Sequence, residues 1–335
     1  VGSATPSIET AEKLSNTTIK LTERIGTSTL PPVQIVDLRE EFKKGNQSIF
    51  SEDLQTEITQ TLADKGQIIL FLNRRGSSSS VVCRDCGEKE TCRQCETTLT
   101  HHQNHNGGTL ICHHCGLITT PPTICKHCQS PNIRYFGIGT QRIEEEIQKL
   151  FPEAKTLRAD KDTTGGKDSF KQIYNAFKKQ EASILIGTQM IAKGLHLPNV
   201  RLVGVILADI GLNIPNFRAN EKIFQLLTQV AGRAGRGQNL GKVIIQTYNP
   251  ENFALTCAQN HDYQNFYTYE RTQRQLLKNP PFGRLATLQL AAKTITEAKK
   301  QTEEIVDRLY HFARQNEKAL QLEITSYPSF IPKFR

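Results

Sequence analysis

Apolar residues along this chain follow two alternating rhythms. Short runs at 67–72, 183–187, 201–207 and 242–247 are apolar almost without interruption, as expected of strands covered on both faces. Between them, apolar positions recur three and four residues apart: Leu54, Ile58 and Leu62; Ile143, Ile147, Leu150 and Phe151; Phe170, Ile173, Tyr174 and Phe177. That spacing lays one apolar stripe along a helix. It predicts helices over 52–62, 141–151 and 168–179, with further strands at 33–38, 133–138 and 156–158. Thr140 is placed to cap the helix it precedes. Strands alternating with helices argue for an α/β fold, a parallel sheet with helices on both faces. After about residue 256 the texture changes. A turn at 279–284, a strand at 285–291 and a helix at 298–314 carrying Ile305, Leu309, Phe312 and Ala313 on one face indicate a small α+β domain.

Between 83 and 128 neither rhythm continues, and eight of the nine cysteines lie there in four pairs. The spacing is Cys83-x2-Cys86-x5-Cys92-x2-Cys95-x16-Cys112-x2-Cys115-x9-Cys125-x2-Cys128. Tetrahedral Zn²⁺ takes four thiolates and each pair supplies two, so the array implies two closed structural sites. Cys92 and Cys95 stand from Cys112 and Cys115 at a zinc-ribbon separation, whereas the short link between the first two pairs leaves little chain to close around one ion. The expected pairing is therefore nested: Cys83, Cys86, Cys125 and Cys128 for one zinc, and Cys92, Cys95, Cys112 and Cys115 for the other. Disulfides are the alternative, but with no secretory signal in the sequence a metal in a reducing cytoplasm is expected. A redox role would suit a single Cys-x-x-Cys better than four. His101, His102, His105, His113, His114 and His127 crowd the same region and are read as surface or DNA-facing residues. Cys257 stands apart, as a small buried apolar side chain.

The 335 residues suffice for two or three domains, and 37% hydrophobic with 22% charged content is that of a soluble globular protein. No apolar run reaches the roughly 18 residues of a membrane span. The chain opens on Val1 and holds one methionine, so it is expected to continue a longer protein. The formal charge of +9 favours a polyanionic partner. Eight thiolates on two Zn²⁺ ions would lower it to about +5, which is still basic.

Two stretches carry chemistry beside the cysteines. Gln229-Val-Ala-Gly-Arg-Ala-Gly-Arg236 sets two arginines three residues apart among glycines that let backbone approach a ligand. Arginines so placed stabilise charge on a transferring phosphoryl group. Ile186-Gly-Thr-Gln-Met-Ile-Ala-Lys-Gly194 follows a buried strand, and the carboxyl ends of parallel strands are where such sheets bind ligands. Thr188, Gln189 and Lys193 would face a cleft and a nucleic-acid backbone there. Asn73-Arg74-Arg75-Gly76 ends the first strand of the series. No G-x-x-x-x-G-K-[ST] occurs: Gly165-Gly-Lys-Asp168 and Gly237-Gln-Asn-Leu-Gly-Lys242 lack its spacing or its hydroxyl. Asp209 follows a strand as a magnesium-binding aspartate would, without the glutamate that usually follows. By itself the chain does not build a complete ATPase site.

Six stretches taken in order resemble the PriA family of bacterial replication-restart helicases, in superfamily 2. They are Gly2-Ser-Ala-Thr-Pro-Ser7, Phe71-Leu-Asn-Arg-Arg-Gly76, the eight cysteines, Ile138-Gly-Thr-Gln-Arg142, Ile184-Leu-Ile-Gly-Thr-Gln-Met190 and Leu227-Thr-Gln-Val-Ala-Gly-Arg-Ala-Gly-Arg236. The resemblance implies a RecA-like second helicase lobe at 66–82 and 129–255, interrupted by a two-zinc module at 83–128. Residues 1–65 would end the first lobe and form the linker, and 256–335 would begin a truncated α+β domain. It further implies the C-terminal half of an ATP-dependent 3′ to 5′ DNA helicase that restarts stalled forks and assembles the primosome. The P-loop and the Asp-Glu-x-His box would lie upstream of Val1, leaving this chain inactive alone.

Carried over by that likeness, Gln229, Arg233 and Arg236 contact ATP, with Arg236 as the finger. Thr188, Gln189 and Lys193, with Arg74 and Arg75, bind DNA and couple it to the nucleotide. The implied cofactors are two structural zinc ions, and ATP with Mg²⁺ held jointly with the first lobe. The implied partners are forked and single-stranded DNA, primosome proteins, the replicative helicase loader and single-strand-binding protein, for a cytoplasmic monomer away from membranes. The chain departs from the family pattern at Leu195-His196, where an acidic residue is usual, and at Ser77–Ser80, where an aromatic often stands. Two other classes fit parts of the pattern: a non-hydrolysing zinc-ribbon adaptor for DNA or primosome proteins, and another zinc-bearing motor acting on RNA.

Overall fold

The computed structural model of the chain describes residues 2–19, 21, 30–73, 79–93, 98–102, 108–112, 116–136, 139–160, 162–166, 168–191, 197–212, 216–234, 241–286, 288, 290 and 292–320. In chain order the helices are α1 (Ile8–Lys13), α2 (Leu38–Lys43), α3 (Glu52–Ala63), α4 (Thr140–Leu150), α5 (Ser169–Lys178), α6 (Asp209–Leu212), α7 (Ala219–Ala231), α8 (Phe253–Gln259), α9 (Tyr263–Leu276) and α10 (Ile295–Leu320). The strands are β1 (Val33–Asp37), β2 (Gln67–Phe71), β3 (Ser79–Cys83), β4 (Thr100–His102), β5 (Thr109–Ile111), β6 (Ile118–Thr119), β7 (Ile133–Phe136), β8 (Thr156–Ala159), β9 (Ile184–Gly187), β10 (Val200–Val205) and β11 (Lys242–Thr247).

The uninterrupted apolar runs form the middle of a six-stranded parallel sheet in the order β1-β11-β10-β2-β9-β8. Side chains on a strand alternate between faces, so β2 serves two cores at once. Ile69 and Phe71 join Leu185, Val203, Val205, Val243 and Ile245 beneath α5, α7, α8 and α9. Ile68, Leu70 and Leu72 join Ile184, Ile186, Leu202 and Ile244 beneath α2, α3 and α4. Each such residue taken from water stabilises the fold by about 1.5–3 kcal/mol, which is why the runs need no polar alternation. The helices meet the sheet by the stripes read from sequence: Leu54 and Ile58 of α3, Ile143 and Ile147 of α4, and Phe177 of α5 are fully buried. Ser51 accepts a hydrogen bond from the Leu54 amide (3.2 Å) and starts α3.

A second, antiparallel sheet runs β6-β5-β4-β3-β7 and carries the cysteine segment. Its own small core holds Val81, Cys92, Leu99, Leu110 and Cys112. Val82, one residue on and therefore on the opposite face, belongs to the core under α3 and α4. One strand thus fastens the insertion to the larger sheet.

Sequence expectations change at several places. The strand predicted at 133–138 is β7, paired antiparallel with β3, so it closes the insertion instead of extending the parallel sheet. β1, placed by sequence in a segment preceding the lobe, is the edge strand of the parallel sheet, paired with β11 from Val33 to Asp37. Residues from 256 on, placed by sequence beyond the lobe, belong to its core: Cys257 and Ala258 of α8 and Phe266 of α9 join Ala254 and Leu255 there, and Phe224 and Phe266 stack at 4.3 Å. Among the described residues of 285–291 there is no strand, and the following helix, α10, is longer than predicted. Thr140 does not cap α4: Gly139 takes that position, and the Thr140 hydroxyl donates to the carboxylate of Asp160.

Candidate metal centre and nucleotide-facing edge

Cys83, Cys112 and Cys125, each the first cysteine of a pair, start the same backbone turn. After Cys83, Cys112 and Cys125 the residue four further on, Gly87, Gly116 or Gln129, returns its amide to the cysteine carbonyl at 2.9–3.0 Å. Each of these residues has positive φ: +79° at Gly87, +78° at Gly116 and +60° at Gln129. Each cysteine amide in turn donates to the next carbonyl along, that of Glu88, Leu117 or Ser130, at 2.7–2.9 Å. In the first and fourth pairs the turn aims both sulfurs to one side.

The first and fourth turns converge. The sulfurs of Cys83, Cys86, Cys125 and Cys128 all lie within 4.8 Å of one another, with Cys83–Cys128 at 3.5 Å and Cys86–Cys125 at 3.7 Å. A disulfide would need about 2.05 Å. Four thiolates at ~2.3 Å from one tetrahedral ion stand ~3.8 Å apart, the spacing seen, so this cluster can hold a metal ion. Asp85 ties the two turns together by accepting from Ser130 and from Asn132 Nδ2 (2.8 Å), and Lys126 pairs with Glu90 at 2.6 Å. Cys92 and Cys112 share the insertion's core. Cys95 and Cys115, expected with them at a second ion, lie outside the described residues. Of the histidines, His102 and His127 are exposed, while His101 packs half-buried on Gly108.

The cluster is seated on the parallel sheet. Arg84, inside the first turn, lies over the Phe42 ring at 4.1 Å, and Gly87 abuts the Tyr248 carbonyl so closely that a Cβ there would stand 2.7 Å from it. Tyr248 is buried beside Arg84 and Arg134; burial raises its pKa, opposed by those two charges. Its amide donates to Asp209 Oδ2 (3.0 Å), which also accepts from the Thr247 hydroxyl (2.8 Å). Asp209 is only 2% exposed, and its other carboxylate oxygen has no hydrogen-bond partner among the described residues. Burial pushes its pKa up, offset in part by the charge of Lys89 in the insertion. So Asp209 faces inward, closing the end of β10, and does not present a carboxylate to the cleft. Sequence alone left that orientation open.

Of the expected nucleotide- and DNA-facing residues, Thr188 and Gln189 follow directly on the carboxyl end of β9 in the same sheet. Gln189, after β9, donates to Asn73, after β2, at 3.0 Å. Gly187 allows β9 to press against β8: a Cβ would lie 2.9 Å from the Ala159 carbonyl and from Ile191. Thr188 and Gln189 are half-buried there. Burial would raise the pKa of Asp160 at the end of β8, but the hydroxyls of Thr140 and Thr163, the Thr163 amide and the charge of Arg158 hold it below the ordinary value. Gln229 is exposed near the end of α7, and Arg233 follows its Gly232 C-cap, half-buried. Lys193, Arg74, Arg75 and Arg236 lie outside the described residues. Sequence reading missed Arg274 of α9, which is fully buried among carboxylates; only the Glu270–Arg274 spacing along a helix hinted at a pair.

The model of the Helicase conserved C-terminal domain matches residues 123–238, from the fourth cysteine turn through the arginine stretch. The Replication restart protein PriA of Bacillus subtilis is 44% identical over 319 residues, which cover 94% of this chain and 39% of that protein. Those of Synechocystis (42%, covering 90% and 37%) and Treponema pallidum (43%, covering 89% and 45%) match over a similar span. The chain belongs to the PriA family. It spans about two fifths of the length of these relatives. Within the PriA family fold the parallel sheet is the RecA-like second lobe, and the antiparallel sheet is its inserted cysteine module. Yeast Dbp5 bound to RNA and ADP BeF3 covers 80% of this chain and half of its own at 11% identity, with a TM-score of 0.36, too loose a match to add to the argument. No helix among the described residues is long and apolar enough to cross a membrane.

Proposed function

We propose that the chain supplies the second motor lobe and zinc module of an ATP-dependent 3′ to 5′ DNA helicase that restarts stalled replication forks and assembles the primosome. The observation that carries this reading is the four-cysteine cluster seated on a parallel sheet whose carboxyl edge bears Asn73, Thr188 and Gln189. Cys83, Cys86, Cys125 and Cys128 would hold one zinc. Cys92, Cys95, Cys112 and Cys115 would hold the second, a reading supported by the shared turn at Cys112 and its burial beside Cys92. Closed four-thiolate sites leave no open position, so both ions would stiffen the module. Across the cleft from the first lobe, Gln229, Arg233 and Arg236 would hold the phosphate end of ATP, which supplies the phosphoryl transfer and carries Mg²⁺ bound by residues of that lobe. Thr188, Gln189, Lys193, Arg74 and Arg75 would meet the DNA backbone. The lobe is taken to run from β1 to α9 around the module, with α10 in a further α+β unit. Forked and single-stranded DNA, primosome proteins, the helicase loader and single-strand-binding protein are the proposed partners, for a cytoplasmic monomer.

The test is to express the whole reading frame that contains this chain and measure forked-DNA-stimulated ATP hydrolysis and strand separation. Arg233→Ala is expected to lower hydrolysis by about 10³-fold, the scale of a phosphoryl-stabilising arginine. The present chain alone is expected to release no phosphate. DNA binding without hydrolysis by the whole protein would replace the helicase reading with that of a zinc-ribbon adaptor, and a preference for structured RNA would point to a different motor.

A further inference from the structure

Among the described residues, a fully buried charge with several carboxylate partners lies away from both sites. Arg274 is 1% exposed and meets three carboxylates: Glu221 at 2.5 Å, Glu270 at 3.1 Å and Glu9 at 3.2 Å. It also donates to the Pro280 carbonyl (3.3 Å) and lies 5.0 Å from the Phe217 ring centroid. These carboxylates come from three helices, α1, α7 and α9. A buried ion network stabilises little better than apolar packing of the same volume, and its best-attested use is to hold elements in one register.

The elements held in register here are the N-terminal segment and α7. Glu221 Oε1 accepts the Ile8 amide (3.2 Å), and Gln225, one turn later, donates to the Thr5 carbonyl (3.1 Å). From α9, the Tyr263 hydroxyl donates to the Pro6 carbonyl (3.1 Å), while Tyr267 (2.7 Å) and Arg271 (2.7 and 2.9 Å) hold Glu12. Arg218 holds Glu9 at 2.6 Å. Glu221 and Gln225 stand about one turn apart on α7, and Gln229 follows a turn later, about 12 Å from Glu221 at 1.5 Å per residue, with Arg233 just beyond the Gly232 C-cap.

We propose that Arg274 is a positioning residue that locks residues 5–12 to α7, the helix that carries Gln229 and leads into Arg233, so that nucleotide hydrolysis is coupled to strand separation. The inference rests on the helicase reading above. Arg274 touches neither nucleotide nor DNA in this role; it fixes the register through which a shift of one element moves the other.

The test uses the protein of the whole reading frame and reads base pairs unwound per ATP hydrolysed. Glu9→Ala detaches the segment from the hub yet leaves Arg274 paired with Glu221 and Glu270, so no buried charge is orphaned. Arg274→Met removes the hub, and Arg274→Lys restores its charge. In Glu9→Ala, DNA-stimulated hydrolysis is expected to stay within about twofold of wild type while base pairs unwound per ATP fall about tenfold, the scale of couplings carried by packed networks. Arg274→Met is expected to fall at least as far, and Arg274→Lys to recover part of the ratio. An unchanged ratio in Glu9→Ala, or hydrolysis and unwinding falling in proportion, would overturn the inference while leaving the helicase reading intact. Absence of DNA-stimulated hydrolysis in the wild-type protein would overturn both.

Discussion

Gly87→Ala probes how the cysteine module is seated on the motor sheet. Gly87 has φ of +79°, and a Cβ there would stand 2.7 Å from the Tyr248 carbonyl oxygen and 3.2 Å from Arg39 Cδ. Left-handed backbone destabilises an L side chain by about 1–2 kcal/mol. The Tyr248 backbone is pinned by its amide bond to Asp209, so the cysteine turn must move, and overpacking of that kind costs about 1–3 kcal/mol. The combined effect is about 2–5 kcal/mol. The same turn aims Cys83 and Cys86, and metal binding is linked to the folding of its site, so the loss reads out as zinc held about 30- to 5,000-fold more weakly. Competition between the chain and a chromophoric chelator measures it.

Gln129 provides an internal control. It occupies the equivalent position of the fourth turn with φ of +60° and the same amide bond to its cysteine, but it is not glycine. Gln129→Gly relieves about 1–2 kcal/mol of backbone strain and loses about 0.5–1 kcal/mol to added freedom of the unfolded chain, a net gain of about 0.5–1 kcal/mol. Zinc should be held about two- to fivefold more tightly. Wild-type zinc affinity in Gly87→Ala, or weaker binding in Gln129→Gly, would refute the reasoning from turn geometry.

Metal analysis of the purified chain should return two zinc ions, with Cys83→Ser and Cys92→Ser each losing a different one; a single ion in the wild type would end the nested arrangement. Burial raises the pKa of Asp209 above its unfolded value, so its contribution to stability is present at low pH and is lost as pH rises through the folded pKa. Asp209→Asn keeps an acceptor for Thr247 and Tyr248 without the charge. It should therefore gain stability relative to wild type as pH rises from about 4 towards neutrality, in denaturant titrations; a gap that narrows instead would contradict the assigned burial. In the whole protein, His196→Asp should speed strand separation by restoring the acidic residue usual in the family, and equal rates would dismiss that departure as neutral.

The pairing of Cys83 and Cys86 with Cys125 and Cys128 was legible from spacing, because a closed four-thiolate site constrains how far apart its ligands stand along the chain. So were the middle strands of the parallel sheet, since burial on both faces removes every polar position from 67–72 or 184–187 except at the ends. Local pattern could not say which sheet a strand would join. β7 reads like any apolar strand, and only the convergence of the first and fourth cysteine turns draws it against β3. β1 and the residues of α8 and α9 from 256 on read as flanking segments, because nothing in their own residues records that β11 needs an edge partner or that Phe224 needs Phe266. The inward turn of Asp209 and the three carboxylates around Arg274 were equally hidden. By itself the sequence determined the cysteine pairs, the ligand set of the Cys83–Cys128 cluster and the periodicity of the elements, because these are written in the spacing of residues along the chain. The tertiary structure alone decided which elements share a core and which charges are buried together, because those contacts join residues far apart along the chain, such as Ile8 and Glu221, 213 positions apart, or Glu12 and Arg271, 259 positions apart.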